Sequence, residues 1–213
     1  MYKGGSISYS YKYLWSPLAE FLLQFIPSSI APNTITVIGT IIHLIGNMFL
    51  ILQAETYYIA PWTLLVFGTC VFVYYTLDNI DGKQARRTKN STPLGMCMDH
   101  GCDALGVSFI ALGVAGVICL SDYYNLILIS SQIAVLGSFW LSTWAQYHSK
   151  GILVLGNINA VDDGIPFVAF MGFFTYLVGG DFWIQEVFPG WRMSYFIVVL
   201  IWIGGIGNLL IYA

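Results

Sequence analysis

Apolar residues gather along this chain in six runs, near 34–54, 57–80, 94–120, 123–146, 163–180 and 194–213. Each is close to the roughly 20 residues that a helix needs to cross about 30 Å of hydrocarbon. Ahead of them, residues 10–27 interleave aromatic, charged and apolar side chains and are too interrupted to span, which predicts a helix lying in the membrane interface. Ala31-Pro32-Asn33 breaks that helix, and Asn33, with Thr34 and Thr36 close by, is positioned to cap the next one. The connections at 55–56 and 121–123 leave room only for hairpins. Tyr57, Tyr58 and Trp62, and again Phe182, Trp183 and Trp191, stand at run ends as an aromatic belt would. The pattern predicts an all-α fold: a polytopic membrane helix bundle of about six transmembrane helices plus an N-terminal interfacial helix. It divides the chain into an interfacial amphipathic segment, 1–30, and a membrane domain, 31–213. No repeat or low-complexity tract interrupts it. The last run reaches the final residue without a polar tail, so the expectation is that C-terminal spans are missing.

Composition agrees with lipid as the solvent. Of 213 residues, 57% are hydrophobic and 9% are charged, where soluble domains carry about 25% charge; mean hydropathy is +0.73. A net charge of −3 gives no general attraction to nucleic acid. Cys70, Cys97, Cys102 and Cys119 lie inside apolar runs at spacings that fit neither a disulfide framework nor a zinc site, and read as small membrane-buried side chains. No cleavable signal peptide is visible, so the first span would serve as its own signal. With six spans, Lys3, Lys12, Lys83, Arg86, Arg87, Lys89 and Lys150 fall on one side and only Arg192 on the other. The first side is then cytoplasmic.

One stretch departs from what a membrane span should contain. Asp78, Asp81, Asp99 and Asp103, with His100 and several basic residues, cluster where the second run ends and the third begins. Asp78 and Asp81 are i,i+3, and Asp99 and Asp103 are i,i+4, so on helices each pair shares a face. Gly82 and Ala85 extend the first stripe and Gly95 the second, leaving room beside the carboxylates. Antiparallel helices joined by a short loop can bring the two faces together. Four carboxylates in one low-dielectric pocket repel one another unless cations compensate, and two divalent ions do so economically. Ligands made only of oxygen indicate Mg²⁺ or Mn²⁺. Two such ions form the usual clamp for in-line phosphoryl displacement. The alternative is a set of interfacial charges paired with Lys83, Arg86, Arg87 and Lys89; the common register and the glycines on the same faces favour the metal site.

These residues fit D-x2-D-G-x2-A-R-x8-G-x3-D-x3-D at every fixed position: Asp78, Asp81, Gly82, Ala85, Arg86, Gly95, Asp99 and Asp103. The chain thereby resembles the CDP-alcohol phosphatidyltransferase family. Ala31 to Thr36, Asp81 to Thr88, Asp99 to Asp103, and Trp144-x-x-Tyr147 with Gly151 and Leu153 resemble its eukaryotic choline and ethanolamine phosphotransferase branch. The resemblance runs over nearly the whole chain, although members of that branch are about twice as long.

The resemblance implies that Asp78, Asp81, Asp99 and Asp103 hold two metal ions. It implies that Asp78, Gly82, Ala85 and Arg86 receive the CDP moiety, with Arg86 a forked donor to phosphate oxygens. The catalytic base is His100 or Asp103, and the chemistry leans to His100, because a carboxylate bound to cations is a weak base and imidazole is tuned near neutral pH. The implied partners are CDP-choline or CDP-ethanolamine, diacylglycerol and the lipid bilayer, with a homodimer also compatible; the products are phosphatidylcholine or phosphatidylethanolamine plus CMP. The implied location is the endoplasmic reticulum or Golgi. The alternatives are a relative using CDP-diacylglycerol and a soluble alcohol, or an inactive membrane scaffold.

Outside the motif, His43 reads as a packing histidine and His148 as an interfacial one. Asp162 and Asp163 read as helix caps or as lining for a polar cavity. Trp144 and Tyr147 read as belt residues or as an ammonium box. Gly113, Gly116, Gly204, Gly205 and Gly207 read as close helix packing.

Overall fold

Proline occupies the first turn of helix after helix in this chain, where its missing N–H breaks no intrahelical bond and its fixed φ suits the helix. The structure, a computed structural model, describes residues 8–54, 59–119, 125–148 and 159–212. A short amphipathic helix, α1 (Ser16–Leu23), is preceded by a π-helical turn at Tyr11–Trp15. Then come α2 (Pro32–Ala54), α3 (Pro61–Arg87), α4 (Pro93–Val117), α5 (Asn125–His148), α6 (Ile165–Val178), α7 (Asp181–Ile184) and α8 (Ser194–Tyr212). A two-stranded hairpin, β1 (Glu186–Phe188) with β2 (Trp191–Arg192), precedes α8, and its turn uses Gly190 at φ +75°. Among the described residues, five helices are long and apolar enough to cross a bilayer, and α8 is a further apolar helix. The chain is therefore an all-α membrane bundle, as its hydrophobic pattern predicts.

α2 is the hub. It packs along both α3 and α4, which touch each other far less; α6 covers another side of α3, and α5 pairs with α8 and α4. Lipid supplies no hydrophobic force between helices, so close backbone approach at small residues must hold them. A Cβ on Gly46 would stand 2.5 Å from that of Cys70, and one on Gly68 2.8 Å from the Ala169 carbonyl. A Cβ on Gly113 would stand 2.3 Å from Asn47 Oδ1 and 2.4 Å from a Phe67 ring carbon, where α4 meets α2 and α3. Gly113→Ala should therefore cost about 1–3 kcal/mol by overpacking, visible as a lower unfolding temperature in detergent. Gly205 lies against Ala134 of α5, while a Cβ on Gly204 or Gly207 would meet nothing within 4 Å among the described residues.

The helix boundaries depart from expectation in instructive ways. α3 starts at Pro61, not 57, and continues past 80 to Arg87. Its last turns persist because Lys83, Gln84 and Arg87 are tied to α1 and to the segment that follows it, residues 24–30. Lys83 Nζ pairs with Glu20 at 2.9 Å and donates to Ser16 Oγ at 2.7 Å. Gln84 donates to the carbonyls of Pro27 and Ile30, and Arg87 to those of Leu23 and Ile26. The Lys83 ammonium holds the Glu20 carboxyl below the usual carboxylate range. Ala19, Ile35 and Ile80 form a small apolar cluster beneath this seam.

Asn33 is not a cap, because α2 already begins at Pro32; its side chain turns instead toward Gly95 and Thr92. Asp162 and Asp163 do not lead the fifth segment alone. Asn159 is the N-cap, accepting from Val161 N and Asp162 N, and Asp163 Oδ2 accepts from Asn159 N in return. Ser10 donates to Asp163 and Tyr75 to the Asp162 carbonyl, so this turn is locked to the N-terminal helix and to α3. Trp183 is not a loose belt residue: it is buried, with Nε1 donating to Thr175 Oγ1 at 2.8 Å. Cys97 is exposed on α4, Cys70, Cys102 and Cys119 are half-buried, and no disulfide joins any two of the four. Lys3, Tyr57, Tyr58, Lys150, Gly151, Leu153 and the two hairpin connections lie outside the described residues.

Candidate active site at the ends of α3 and α4

Thr92 starts the second wall of the site. Its side chain accepts from Gly95 N at 3.0 Å, a standard N-cap, and sets the register in which Asp99 and Asp103 follow on one face of α4. On α3, Asp78 and Asp81 share a face one turn apart. Asp78, Asp99 and Asp103, all half-buried, each offer an oxygen within 4.8 Å of the others. α3 and α4 approach each other less than either approaches α2, and their carboxylates converge from the two helices.

Asp81 is more deeply buried than its neighbours and turns its Oδ2 to the hydroxyl of Thr36 on α2. Asp78 nonetheless feels the charges of Asp81, Asp99 and Asp103 together. No ion pair joins any of the four to a described cation, which removes the reading of these charges as interfacial residues paired with the neighbouring Lys and Arg. Lys83 and Arg87 are engaged by α1, whereas Arg86 is exposed and donates to no described residue.

Charges of one sign gathered in low dielectric without counter-charges suit a divalent cation, and oxygen-only donors select a hard one. The residues present fit such an ion. Gly82 adds space beside them: a Cβ there would meet nothing nearer than Arg86 Nη1 at 3.6 Å, so a ligand can approach the backbone of α3. Gly95 serves a different need, since a Cβ would crowd Asn33 Oδ1 at 3.2 Å and Thr92 Oγ1 at 3.3 Å.

His100 Nδ1 lies 3.0 Å from the Met96 carbonyl. A carbonyl only accepts, so Nδ1 carries the proton and Nε2 keeps a free lone pair. A positive charge on His100 would act on both Asp99 and Asp103. Trp144 stacks on Trp140 and lies tilted against His148 along an exposed face of α5, and Tyr147 is exposed beside His148.

Sequence reasoning missed two residues of the site. Tyr74 donates to Asp103 Oδ1 at 2.7 Å, and Thr36 donates to Asp81. Tyr74 lies four residues before Asp78, on the same helix face, which was the available signal. His43, read as a packing histidine, is fully buried and hydrogen-bonded on both ring nitrogens.

Residues 29–204 match the family described as CDP-alcohol phosphatidyltransferase. The chain is 40% identical over 172 residues to uncharacterized CDP-alcohol phosphatidyltransferase class-I family protein 3 of Dictyostelium discoideum, covering 79% of this chain and 42% of that protein. It is 34% identical over 196 residues to choline/ethanolaminephosphotransferase 1 of Arabidopsis thaliana, covering 87% and 47%. It is 39% identical over 150 residues to cholinephosphotransferase 1 of Mus musculus, covering 70% and 37%. The chain thus spans less than half the length of these curated relatives.

Proposed function

Because this chain belongs to the CDP-alcohol phosphatidyltransferase family, we propose that it transfers phosphocholine or phosphoethanolamine from CDP-choline or CDP-ethanolamine to diacylglycerol, releasing CMP. The observation that carries this is the convergence of Asp78, Asp99 and Asp103 from two helices, within a complete family motif and without a cationic partner among the described residues. The relatives named for choline and ethanolamine phosphotransfer support the head group.

Asp78, Asp81, Asp99 and Asp103 would hold two ions, Mg²⁺ or Mn²⁺. When bound, these would neutralise the donor pyrophosphate and the charge that develops on departing CMP. Arg86, exposed beside Gly82 and donating to no described residue, offers a bidentate fork to phosphate oxygens. Gly82 and Ala85 let the nucleotide lie close to α3. The acceptor hydroxyl loses its proton to His100 Nε2 or to the Asp103 carboxylate, and its oxygen attacks the β-phosphorus as the bond to CMP breaks. The free lone pair on Nε2 favours His100, since Asp103 already accepts from Tyr74.

Residues 1–30 would form an interfacial segment clamped to the membrane domain 31–213 through Lys83, Gln84 and Arg87. Lys12, Lys83, Arg86, Arg87 and Lys89 support a cytoplasmic active site in an endoplasmic reticulum or Golgi membrane.

The test is CMP release by the purified chain in diacylglycerol-containing micelles with Mg²⁺, offering CDP-choline and CDP-ethanolamine separately. Turnover with either supports the proposal and assigns the head group. Turnover only with CDP-diacylglycerol and a soluble alcohol would replace it with the other family chemistry. Binding of Mn²⁺ and CDP without any turnover would point to an inactive scaffold.

A further inference from the structure

Tyr74 is almost fully buried, 3% exposed, in the middle of three helices. Its hydroxyl donates to Asp103 Oδ1 at 2.7 Å. The His43 ring of α2 stacks on the Tyr74 ring, centroids 4.8 Å apart and planes 25° apart. His43 is itself pinned. Asn47 Nδ2 lies 2.9 Å from His43 Nδ1, and His43 Nε2 lies 3.0 Å from the Gly106 carbonyl of α4. A carbonyl can only accept, so Nε2 carries the proton and Nδ1 accepts from the Asn47 amide; one neutral tautomer satisfies both contacts. Gly106 completes the arrangement, because a Cβ there would stand 3.0 Å from the Tyr74 hydroxyl oxygen. α2, α3 and α4 are thus joined by hydrogen bonds and one ring stack, a series that ends on one carboxylate.

We infer that Tyr74 is a positioning residue for Asp103: stacked on His43 and admitted by Gly106, its hydroxyl fixes the carboxylate so that Oδ2 faces the site. This rests on the metal-site reading above. Asp103 has two oxygens and a rotatable carboxyl group, and occupying Oδ1 leaves one acceptor in a defined direction. Asp78 and Asp99 accept no hydrogen bond from a described residue, so this constraint distinguishes Asp103 from them. Partners that orient a metal ligand typically change metal affinity by about 10–100-fold when removed.

The test is Mn²⁺ binding to the full chain in detergent, read from the electron paramagnetic resonance of free Mn²⁺, for the parent, Tyr74→Phe, Gly106→Ala and Asp103→Asn. Tyr74→Phe removes one oxygen and should weaken Mn²⁺ binding about 10–100-fold. Gly106→Ala, which keeps the phenol but displaces it, should weaken binding in the same direction, and it decides the matter if Tyr74→Phe does not fold. Parent-like Mn²⁺ affinity in a folded Tyr74→Phe, with affinity lost in Asp103→Asn, overturns the inference while leaving the metal site intact. The same holds if Tyr74→Phe lowers only the unfolding temperature. A parent that binds no Mn²⁺ removes the metal site and the inference with it.

Discussion

Replacing Asp78, Asp81, Asp99 or Asp103 by alanine should each abolish CMP release, by about 10³-fold or more. Asp78, Asp99 and Asp103 converge to within 4.8 Å, and among the described residues no lysine or arginine pairs with any of the four. Removing one ligand removes charge compensation worth several kcal/mol in the transition state, and every 1.36 kcal/mol is a factor of ten in rate. Mn²⁺ binding should fall in parallel, which separates loss of the site from loss of a base. His100→Asn provides the contrast: the ligands remain, so Mn²⁺ binding should persist while turnover drops by about 10²–10⁴-fold, the range of general base catalysis. A single aspartate variant with near-parent turnover would sink the four-ligand assignment. Parent-like turnover in His100→Asn would move the base to Asp103.

Arg86→Lys should lower turnover by about 10–100-fold although the charge is kept. Four cationic or amide-bearing residues crowd the end of α3, yet three of them are spent on α1 and the segment that follows it: Lys83 on Glu20 and Ser16, Gln84 on Pro27 and Ile30, Arg87 on Leu23 and Ile26. Arg86 alone among these four donates to no described residue, and it borders the open space over Gly82. Hydrogen bonds to charged groups contribute about 1.5–3 kcal/mol, and a lysine ammonium cannot reproduce the two parallel N–H donors of guanidinium. The measurement is steady-state CMP release across CDP-alcohol concentrations. A variant indistinguishable from the parent would remove Arg86 from donor binding. Arg87→Lys is the control: it should loosen α1 and lower the unfolding temperature without changing how the donor concentration governs the rate.

The six apolar runs predict their helices because crossing lipid obliges every backbone N–H and C=O to be satisfied within the segment, so length and hydropathy are enough. The aspartate cluster was legible for a similar reason. Spacings of three and four residues place side chains on one helix face whatever the helix packs against, and carboxylates at membrane depth are too costly to persist in a span without a functional role.

What the sequence left open were distances between elements. Tyr74 reads as one more aromatic in an apolar run until α4 brings Asp103 to within 2.7 Å of its hydroxyl. His43 and Gly106 lie 63 positions apart and become partners only because α2 packs on α4. Lys83 and Arg87 look interchangeable with Arg86 in sequence; folding spends the first two on α1 and leaves the third exposed. Periodicity and solvent thus determined which residues share a face and which segments enter lipid, because both are properties of a single helix. Which carboxylate is held was decided where α2, α3 and α4 meet at Gly106, and which arginine stays available by the packing of residues 16–30 on α3, because both depend on contacts between residues far apart in the chain.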